Sequence, residues 1–367
     1  MTIPSAFKEI ELLKSFAGAF QKHPAQINHL LEADAEILKL DPEKEEYIVL
    51  KTDGINEEIK EELYNDPYQI GWIGVTASLS DIAAVGAEPT GILLSVVLKH
   101  DADKNWIVAF QKGINDACKA YNIYVLGGDT NYDTNCSISS TAIAFIKNRK
   151  PLLRKGMMPG DLLYSTFSLG LGNAFAYSKF FDPSLKINYQ PIARLKESLL
   201  LNGFASACID TSDGLFPALA FLSDLNEIGF DLDIPLQTLL HDEAKNVQQK
   251  AGLPAWMLMA GPHGEYELLF SIPADKNENF QLSCKQNNWE PLYIGRVTAD
   301  MQLNFISEDL NISSHPAEVP NLFYKAEGNI QVYFELLQQQ HKNWSPKKWM
   351  HENRIKQSYL SLPEVKK

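Results

Sequence analysis

Three apolar runs in this chain each end in a short turn that carries aspartate and glycine. The turns are Thr52-Asp53-Gly54, Gly127-Gly128-Asp129-Thr130 and Asp210-Thr211-Ser212-Asp213-Gly214. A single Asp-Gly pair after a strand is usually only a turn, because glycine tolerates positive φ and aspartate caps its own backbone. Three such turns, with Asp34 and Asp81 as further acidic positions, predict a carboxylate cluster if the fold brings them together. Such a cluster stays ionised only with cations beside it.

A carboxylate cluster points to magnesium and a nucleotide. Hard divalent ions prefer oxygen ligands and commonly bridge one or two carboxylates to substrate phosphates. We therefore expect Mg²⁺ and a nucleoside triphosphate as the partners of this cluster.

The overall charge agrees with an ion-mediated site and excludes nucleic acid as the expected partner. The chain has 46 Asp and Glu against 33 Lys and Arg, which gives a net charge of −13. A nucleic-acid binder should show a basic face or stripe. The densest basic stretch, residues 342–348, is short and is interrupted by Trp344 and Pro346.

Length and composition predict a cytoplasmic protein of two domains and an additional segment. The 367 residues exceed a typical single core. We expect no membrane span, since no stretch approaches roughly 18 consecutive apolar residues. Lys8 and Glu9 stand where a signal peptide would need an apolar core. The four cysteines are far apart, as in ordinary core positions.

Helix-like and strand-like segments alternate, which predicts an α/β or α+β fold. Phe7, Ile10, Leu13 and Phe16 recur at helical spacing and predict a first amphipathic helix. Further helices are predicted at 70–85, 106–118, 191–201, 215–228, 239–251 and 330–341, and strands at 47–50, 123–128, 137–146, 162–166, 267–272 and 293–297. The charged run at 147–151 marks a boundary, so we expect domains at 1–148 and 149–310 and a helical appendage at 311–367.

Several familiar nucleotide motifs are missing from the sequence. The P-loop spacing and the protein-kinase HRD and DFG motifs do not occur, and the histidines lack zinc-ligand spacing. Residues 170–175 follow a strand as a dinucleotide-binding turn would, but Phe175 takes the place of the third glycine. The competing interpretation is a tight turn that starts a helix.

The acidic turns and their neighbours form a series of motifs along roughly residues 30 to 300. The series comprises Asp34, Thr52-Asp53, Leu79-Ser80-Asp81 through Pro89, Gly127-Gly128-Asp129-Thr130, Arg154-Lys155-Gly156 through Asp161, and Asp210-Thr211-Ser212-Asp213-Gly214-Leu215. It resembles the motifs of the thiamine-monophosphate kinase family, of the superfamily that includes AIR synthetase, selenophosphate synthetase and a hydrogenase maturation protein. The last motif differs from the family's Asp-Ile-Ser-Asp-Gly-Leu at one position.

The resemblance implies a two-domain AIR synthetase-like fold. Its N-terminal ferredoxin-like sheet domain would pair in a homodimer, its C-terminal domain would be α/β, and ATP would lie in a cleft between domains. The implied magnesium ligands are Asp34, Thr52, Asp53, Asp81, Asp129 and Asp210. For Asp81 alone, helix capping or a buried hydrogen-bonding role is the competing interpretation.

The resemblance also implies roles around the nucleotide. Asp213 and Asp210 would be catalytic, with Asp213 nearest the transferring phosphoryl group. Nucleotide contacts would come from Gly127, Gly128, Thr130, Arg154 and Ser212. Glu57 and Tyr266 would face the acceptor.

The departures from the family pattern fall where the acceptor would be recognised. The family's Thr-Asp is followed by a segment with Glu-Gly-Val-His-Phe; residues 54–60 lack that histidine and align only Glu57. Residues 262–265 likewise rearrange what precedes Tyr266. Both changes favour a different acceptor, a small phosphate or an alcohol.

Three functions therefore stay open at the level of sequence. The first is a magnesium-dependent kinase that phosphorylates thiamine monophosphate or a related acceptor. The second is a ligase-like or synthase enzyme that uses ATP to activate an oxygen and releases inorganic phosphate. The third is a non-catalytic nucleotide-binding protein whose tail, with Trp344 and Trp349, is the partner surface; packing of those tryptophans on the parent domain is the competing interpretation.

Overall fold

The computed structural model describes Ser15 and residues 19–345. The predicted first helix at Phe7 to Phe16 and Trp349 of the tail lie outside the described residues. The described part mixes helices with two sheets, which confirms the predicted fold class.

The first half of the described chain forms a five-stranded sheet with helices packed against it. Its elements are β1 (Glu36–Lys39), β2 (Glu46–Gly54), α1 (Asn56–Lys60), α2 (Pro67–Ala84), β3 (Glu88–Lys99), α3 (Lys104–Tyr121), β4 (Tyr124–Asp133) and β5 (Ser137–Lys147). The strand order is β1-β2-β5-β3-β4, in which β3 and β4 are parallel and the other neighbours are antiparallel. The long strand β3 and the short helix α1 were not predicted.

Helix α2 lies in the middle of this half. Asp66 caps it by accepting a hydrogen bond from the Gln69 amide, and Pro67 starts its first turn. Most of its own side chains are small or apolar, and nearly all of the helix is buried. Its contact with α3 is close: a Cβ on Gly71 would lie 2.3 Å from the Phe110 carbonyl oxygen.

The second half forms a seven-stranded sheet. Its elements are β6 (Leu162–Ser165), α4 (Leu171–Phe180), α5 (Leu195–Leu201), β7 (Ala207–Asp210), α6 (Leu215–Asn226), β8 (Gly229–Leu232), α7 (Leu236–Leu239), α8 (Asp242–Ala251), β9 (Leu268–Ile272), α9 (Asn277–Gln286), β10 (Leu292–Thr298), β11 (Leu303–Ser307) and β12 (Leu310–Ser314), with 3₁₀ turns at Ala255–Met259 and Ala274–Lys276. The strand order is β12-β11-β8-β10-β6-β9-β7.

Most predicted elements of this half are present, with shifted ends. The helix predicted at 191–201 begins only at Leu195, and the one predicted at 239–251 begins only at Asp242, after the short separate helix α7. Gly170 adopts a φ of 85° immediately before α4, which is the tight turn that starts a helix. The hairpin of β11 and β12 joins the second sheet, so residues just after 310 belong to that sheet.

The chain continues beyond the second sheet with α10 (Pro320–Lys325) and α11 (Ile330–Trp344). Helix α11 packs on the second core through its buried Tyr333 and Leu337. The Trp344 ring lies 5.0 Å from the ring of Trp256 and 5.6 Å from that of Phe305. Trp344 therefore packs against the parent domain.

The two halves meet in a stack of aromatic rings. Tyr64 of the first half lies 6.2 Å from both Phe175 and Tyr189 of the second, measured between ring centroids. The Trp72 indole of α2 donates a hydrogen bond to the Pro191 carbonyl. These contacts hold the first half against the second, and the end of β7 meets α2 where Ser80 bonds to Asp210.

Two further sequence expectations bear on the described residues. All four cysteines are buried and unpaired, as expected for core positions. No helix in this part of the chain is both long and apolar enough to span a bilayer.

Candidate functional site

Three buried aspartates from distant parts of the chain meet at the junction of the two halves. Asp34 lies in the loop before β1, Asp81 on α2, and Asp210 at the end of β7. One carboxylate oxygen from each lies within 4.8 Å of the others. The structure thus brings these three predicted ligands together.

Hydroxyl groups orient the carboxylate of Asp210. Ser80, the neighbour of Asp81 on α2, donates a hydrogen bond to Oδ2 of Asp210 over 2.7 Å. Ser212 donates to Oδ1 of the same residue over 3.0 Å. The side chain of Ser212 therefore reaches the predicted site as a partner of Asp210.

Two cationic side chains lie against the three aspartates. The Nη2 of Arg154 donates to Oδ1 of Asp34 over 2.6 Å, and its guanidinium also lies over the Phe221 ring. The Nζ of Lys51 lies 3.2 Å from Oδ2 of Asp81. The sequence interpretation included Arg154 but missed Lys51.

A signal for Lys51 was present in the alternation of β2. Tyr47 and Val49 are buried on the face of β2 that packs against α2, and Lys51 is the next residue in that period of two. A lysine at such a core-facing position needs an acidic partner nearby.

The two cations do not stabilise the ionised carboxylates of this site fully against burial and mutual repulsion. Burial raises the pKa of Asp81 well above its ordinary value, and Lys51 counteracts only part of this shift. Burial, followed by the nearby Asp34, raises the pKa of Asp210 to about 6. Burial alone would lower the pKa of Lys51, but Asp81 and Asp53 raise it above its ordinary value. The site therefore favours additional positive charge.

The donor set fits a hard divalent cation. Oδ2 of Asp34 is buried and has no hydrogen-bond partner within the described part of the chain. A buried carboxylate oxygen without a partner is costly unless an ion satisfies it. Three carboxylates and no nitrogen or sulfur donor form the ligand type that Mg²⁺ prefers.

Asp53 and Thr52 follow Lys51 on β2 but face opposite sides of the sheet. Asp53 shares the face of Lys51 and lies close enough to raise the pKa of Asp81, although it is not one of the three clustered carboxylates. The Thr52 hydroxyl instead pairs with that of Thr141 at 2.9 Å. The structure does not bring Thr52 to the carboxylate cluster.

The predicted residues of β4 lie apart from the cluster in this chain. Asp129 on β4 pairs with Ser95 on β3. Ser95 pairs in turn with Ser139 on β5, and Ser139 pairs with Gly54 on β2. Three strand spacings separate Asp129 from Gly54, a distance of about 14 Å. Thr130 and Asp129 are exposed, as is the rest of β4.

The two glycines of β4 differ in how much space surrounds them. A Cβ on Gly128 would lie 1.9 Å from the Leu94 carbonyl oxygen, so the pairing of β3 and β4 itself requires glycine there. A Cβ on Gly127 would meet only Leu93, at 3.8 Å.

The loop after β7 places Asp213 at the surface beside a second glycine-containing turn of the same half. Asp213 is exposed, and the backbone of the preceding Ser212 accepts a hydrogen bond from the Gly264 amide over 2.7 Å. A Cβ on Gly264 would lie 1.6 Å from the Thr211 carbonyl oxygen. The loop at 211–214 is therefore held in contact with the segment at 261–265.

The predicted acceptor residues have different surroundings. Glu57 is exposed on α1, whereas Tyr266 is buried and adopts a φ of 62°. Burial, followed by Tyr64 and Glu58, raises the pKa of Tyr266 well above its ordinary value. Glu58, which sequence reasoning passed over, has its pKa raised to about 7 by burial and by the charges of Glu57 and Asp53.

Comparison with known sequences matches this architecture to characterised proteins. A family model for AIR synthase related protein, N-terminal domain, matches residues 32–146. The thiamine-monophosphate kinase of Buchnera aphidicola subsp. Schizaphis graminum is 30% identical over 321 residues, which cover 83% of this chain and 96% of that one. The thiamine-monophosphate kinase of Escherichia coli K12 is 28% identical over 249 residues, which cover 65% of this chain and 74% of that one.

Solved structures share the fold. The crystal structure of tt0281 from Thermus thermophilus matches with a TM-score of 0.68 and 26% identity, covering 80% of this chain and 95% of that one. AaThiL complexed with AMPPCP and TMP matches with a TM-score of 0.65 and 22% identity, covering 81% and 93%. The hydrogenase maturation protein HypE of E. coli has a TM-score of 0.61 at 16% identity, covering 81% and 92%. The predicted AIR synthetase-like fold is confirmed.

Proposed function

Because this chain belongs to the thiamine-monophosphate kinase family, we propose that it transfers the terminal phosphoryl group of ATP to thiamine monophosphate, which yields thiamine diphosphate and ADP. The observation that carries the proposal is the meeting of Asp34, Asp81 and Asp210 at the junction of the two halves. The relative named AaThiL was solved with AMPPCP and TMP together, which supports a nucleotide and a thiamine phosphate as the two substrates.

The chain's own residues would act by positioning and by charge. Phosphoryl transfer needs little covalent work from a protein, because its transition state is stabilised mainly by alignment and by neutralisation of phosphate charge. Asp34, Asp81 and Asp210 would hold Mg²⁺, which supplies that neutralisation when bound. The Nε of Arg154 is buried without a hydrogen-bond partner in the described structure and would be available to a phosphate oxygen.

Four other predicted residues keep their proposed roles. Asp213 would lie nearest the transferring phosphoryl group, as the family resemblance implies, in the loop that follows Asp210. Asp53 would add a carboxylate beside the metal. Glu57 and Tyr266 would contact the acceptor, and the neighbouring Glu58 replaces the glycine of the family motif at that point.

Product analysis tests the proposed reaction. The purified protein is incubated with ATP, Mg²⁺ and thiamine monophosphate, and the nucleotides, thiamine phosphates and inorganic phosphate are quantified by chromatography. We expect thiamine diphosphate and ADP in equal amounts. Inorganic phosphate without thiamine diphosphate would instead favour the ligase-like function, and no turnover would favour the non-catalytic one.

Matched variants connect that assay to the site. Asp210→Asn removes one clustered carboxylate and should abolish turnover. Asp242→Asn removes an exposed carboxylate that pairs only with Lys245 among the ion pairs of the described region, and should leave turnover unchanged. Equal activity of the two variants would remove Asp210 from the catalytic site.

We also propose that β4 pairs two copies of the chain as a homodimer. All ten residues of this edge strand are exposed, including Tyr124 at 70% and Leu126 at 51%. An exposed edge strand with large apolar side chains is a site for pairing with another chain. Sedimentation velocity tests the pairing: the wild type should be a dimer and Leu126→Lys a monomer. A monomeric wild type at micromolar concentration would contradict this.

We also propose that the protein is located in the cytoplasm. The four cysteines are buried and unpaired, which is typical of proteins kept in a reducing compartment. Fractionation of cells that produce the full chain would test it, since recovery outside the cytoplasm contradicts the expectation.

A further inference from the structure

Lys51 is the feature of this site that the family resemblance does not account for. Its side chain is 26% exposed and its Nζ lies 3.2 Å from Oδ2 of Asp81, whose own side chain is 7% exposed. The ammonium group interacts electrostatically with Asp53 and Asp34 as well. A lysine thus lies directly among the residues proposed to hold Mg²⁺.

The position of Lys51 is set by the fold. Strand β2 directs Tyr47, Val49 and Lys51 to the face covered by α2. Asp81 lies in the last turns of α2, which is buried along most of its length. The strand and the helix together hold the ammonium group against the carboxylate, so the pair does not depend on two mobile surface side chains.

The charges at the site show how much negative charge Lys51 offsets. Four carboxylates interact there, those of Asp34, Asp53, Asp81 and Asp210, and two cations oppose them, Lys51 and Arg154. A bound cation would keep every carboxylate ionised, and the four negative and two positive side chains then leave a net charge of −2 for the cation to offset. A single divalent cation cancels this charge, whereas a second one would reverse it.

We propose that Lys51 is an internal counter-ion that takes the place of one divalent cation, so that the nucleotide-free protein holds one Mg²⁺ at this site and not two. The inference rests on the metal site of the proposed function. Further magnesium would enter only with the charge of a triphosphate. Arg154 cannot take this role alone, because its guanidinium is paired with Asp34.

Removal of the lysine charge should strengthen metal binding. Without Lys51 the four carboxylates face only one cation, so the net charge becomes −3 and the repulsion between Lys51 and the metal is lost. We expect the affinity for a divalent cation to rise at least tenfold or a second equivalent to bind. Lys51→Met removes the charge and keeps an unbranched side chain of similar length.

Manganese provides a direct readout without nucleotide or acceptor. Free Mn²⁺ is measured by electron paramagnetic resonance during titration of the full chain. The wild type should bind one equivalent at the site. Lys51→Met should bind at least tenfold more tightly or bind a second equivalent, and Lys51→Arg, which keeps the charge, should restore one equivalent with an affinity within about threefold of the wild type.

A lysine elsewhere provides the matched control. Lys112 pairs with Asp116 on the exposed face of α3, so Lys112→Met removes an ion-paired lysine far from the cluster and should leave Mn²⁺ binding unchanged. Circular dichroism establishes that each variant is folded; Lys51→Gln, which is also neutral, replaces Lys51→Met if the latter does not fold.

The outcomes separate this inference from the proposed function. Unchanged affinity and stoichiometry in both neutral variants would overturn the role of Lys51, while production of thiamine diphosphate would still stand. Two equivalents bound by the wild type would also overturn it. A wild type that binds no Mn²⁺ would overturn both the inference and the assignment of the three aspartates as a metal site.

Discussion

His263 should make the stability of this protein fall in mild acid. The histidine is buried beside a small cavity of about 40 Å³ that Asn173, Phe180 and Leu337 also line. Its Nε2 atom has no hydrogen-bond partner within the described residues. Burial lowers the pKa of His263 from the ordinary 6.5 to about 4.

The sign and size of the effect follow from these two pKa values. Between pH 6.5 and pH 4 the unfolded chain binds a proton at His263 that the folded chain does not bind. Stability therefore falls as the pH falls through this window. Between pH 7 and pH 5 the loss from this one group is about 2 kcal/mol.

Urea unfolding of the wild type and of His263→Leu measures this loss. Both proteins are unfolded at pH 7 and at pH 5 in the presence of a chelator, and the two free-energy differences are compared. The wild type should lose about 2 kcal/mol more than the variant, because leucine cannot take up the proton. Other titrating groups are common to both proteins and cancel in the comparison.

Two results would refute the reasoning about His263. Equal losses in the two proteins would mean that the buried imidazole is protonated as readily as in the unfolded chain. A difference that persists between pH 7 and pH 8, where His263 is neutral in both states, would attribute the effect to packing and not to the proton.

Three further predictions concern the site and the appendage. Arg154→Met leaves the buried carboxylate of Asp34 without its partner. In the presence of a chelator, the free energy of unfolding measured in urea should therefore fall by about 3 kcal/mol. An unchanged free energy would mean that the ion pair does not stabilise the fold. Trp344→Ala removes a ring that packs on Trp256, so stability should fall by about 2 kcal/mol while turnover at low temperature is retained; loss of turnover in the folded variant would give the appendage a catalytic part. ATP should raise the melting temperature only when Mg²⁺ is present, and Asp53→Asn should weaken that shift. Equal stabilisation by ATP in a chelator would contradict metal bridging, and an unchanged shift in the variant would remove Asp53 from the site.

Site residues that lie in short, recognisable motifs could be predicted from the sequence. Asp210 follows a run of buried residues and precedes a glycine, so a strand that ends in a polar turn could be inferred locally. Asp81 was an acidic residue in an otherwise apolar and small-residue helix, which required a specific partner. Local pattern and resemblance agreed at both positions.

The parts that could not be predicted depend on contacts between distant segments. The alternation of β2 marks Lys51 as core-facing, but its pairing with Asp81, 30 positions later in the chain, follows only from the fold. The raised pKa of Glu58 arises chiefly from burial in the folded chain, which its own acidic segment does not reveal. Short strands such as β8 and β12 carry too few residues for a clear alternation.

The position of Asp129 in the fold also depends on contacts between distant segments. Its motif was clear in the sequence, yet the order of strands sets β4 at the edge of the sheet, away from the three clustered carboxylates. Strand order is decided by long-range pairing, which a local pattern does not encode.

Of the three clustered carboxylates, those of Asp34 and Asp81 come from the first half of the chain and that of Asp210 comes from the second. An ion bound by all three carboxylates would link the two halves as well as take part in the chemistry. Removal of that ion would weaken this link before it disturbed the hydrophobic packing within either half. The rate of protease cleavage in the connecting segment around Arg154 would then report how much metal the protein has bound.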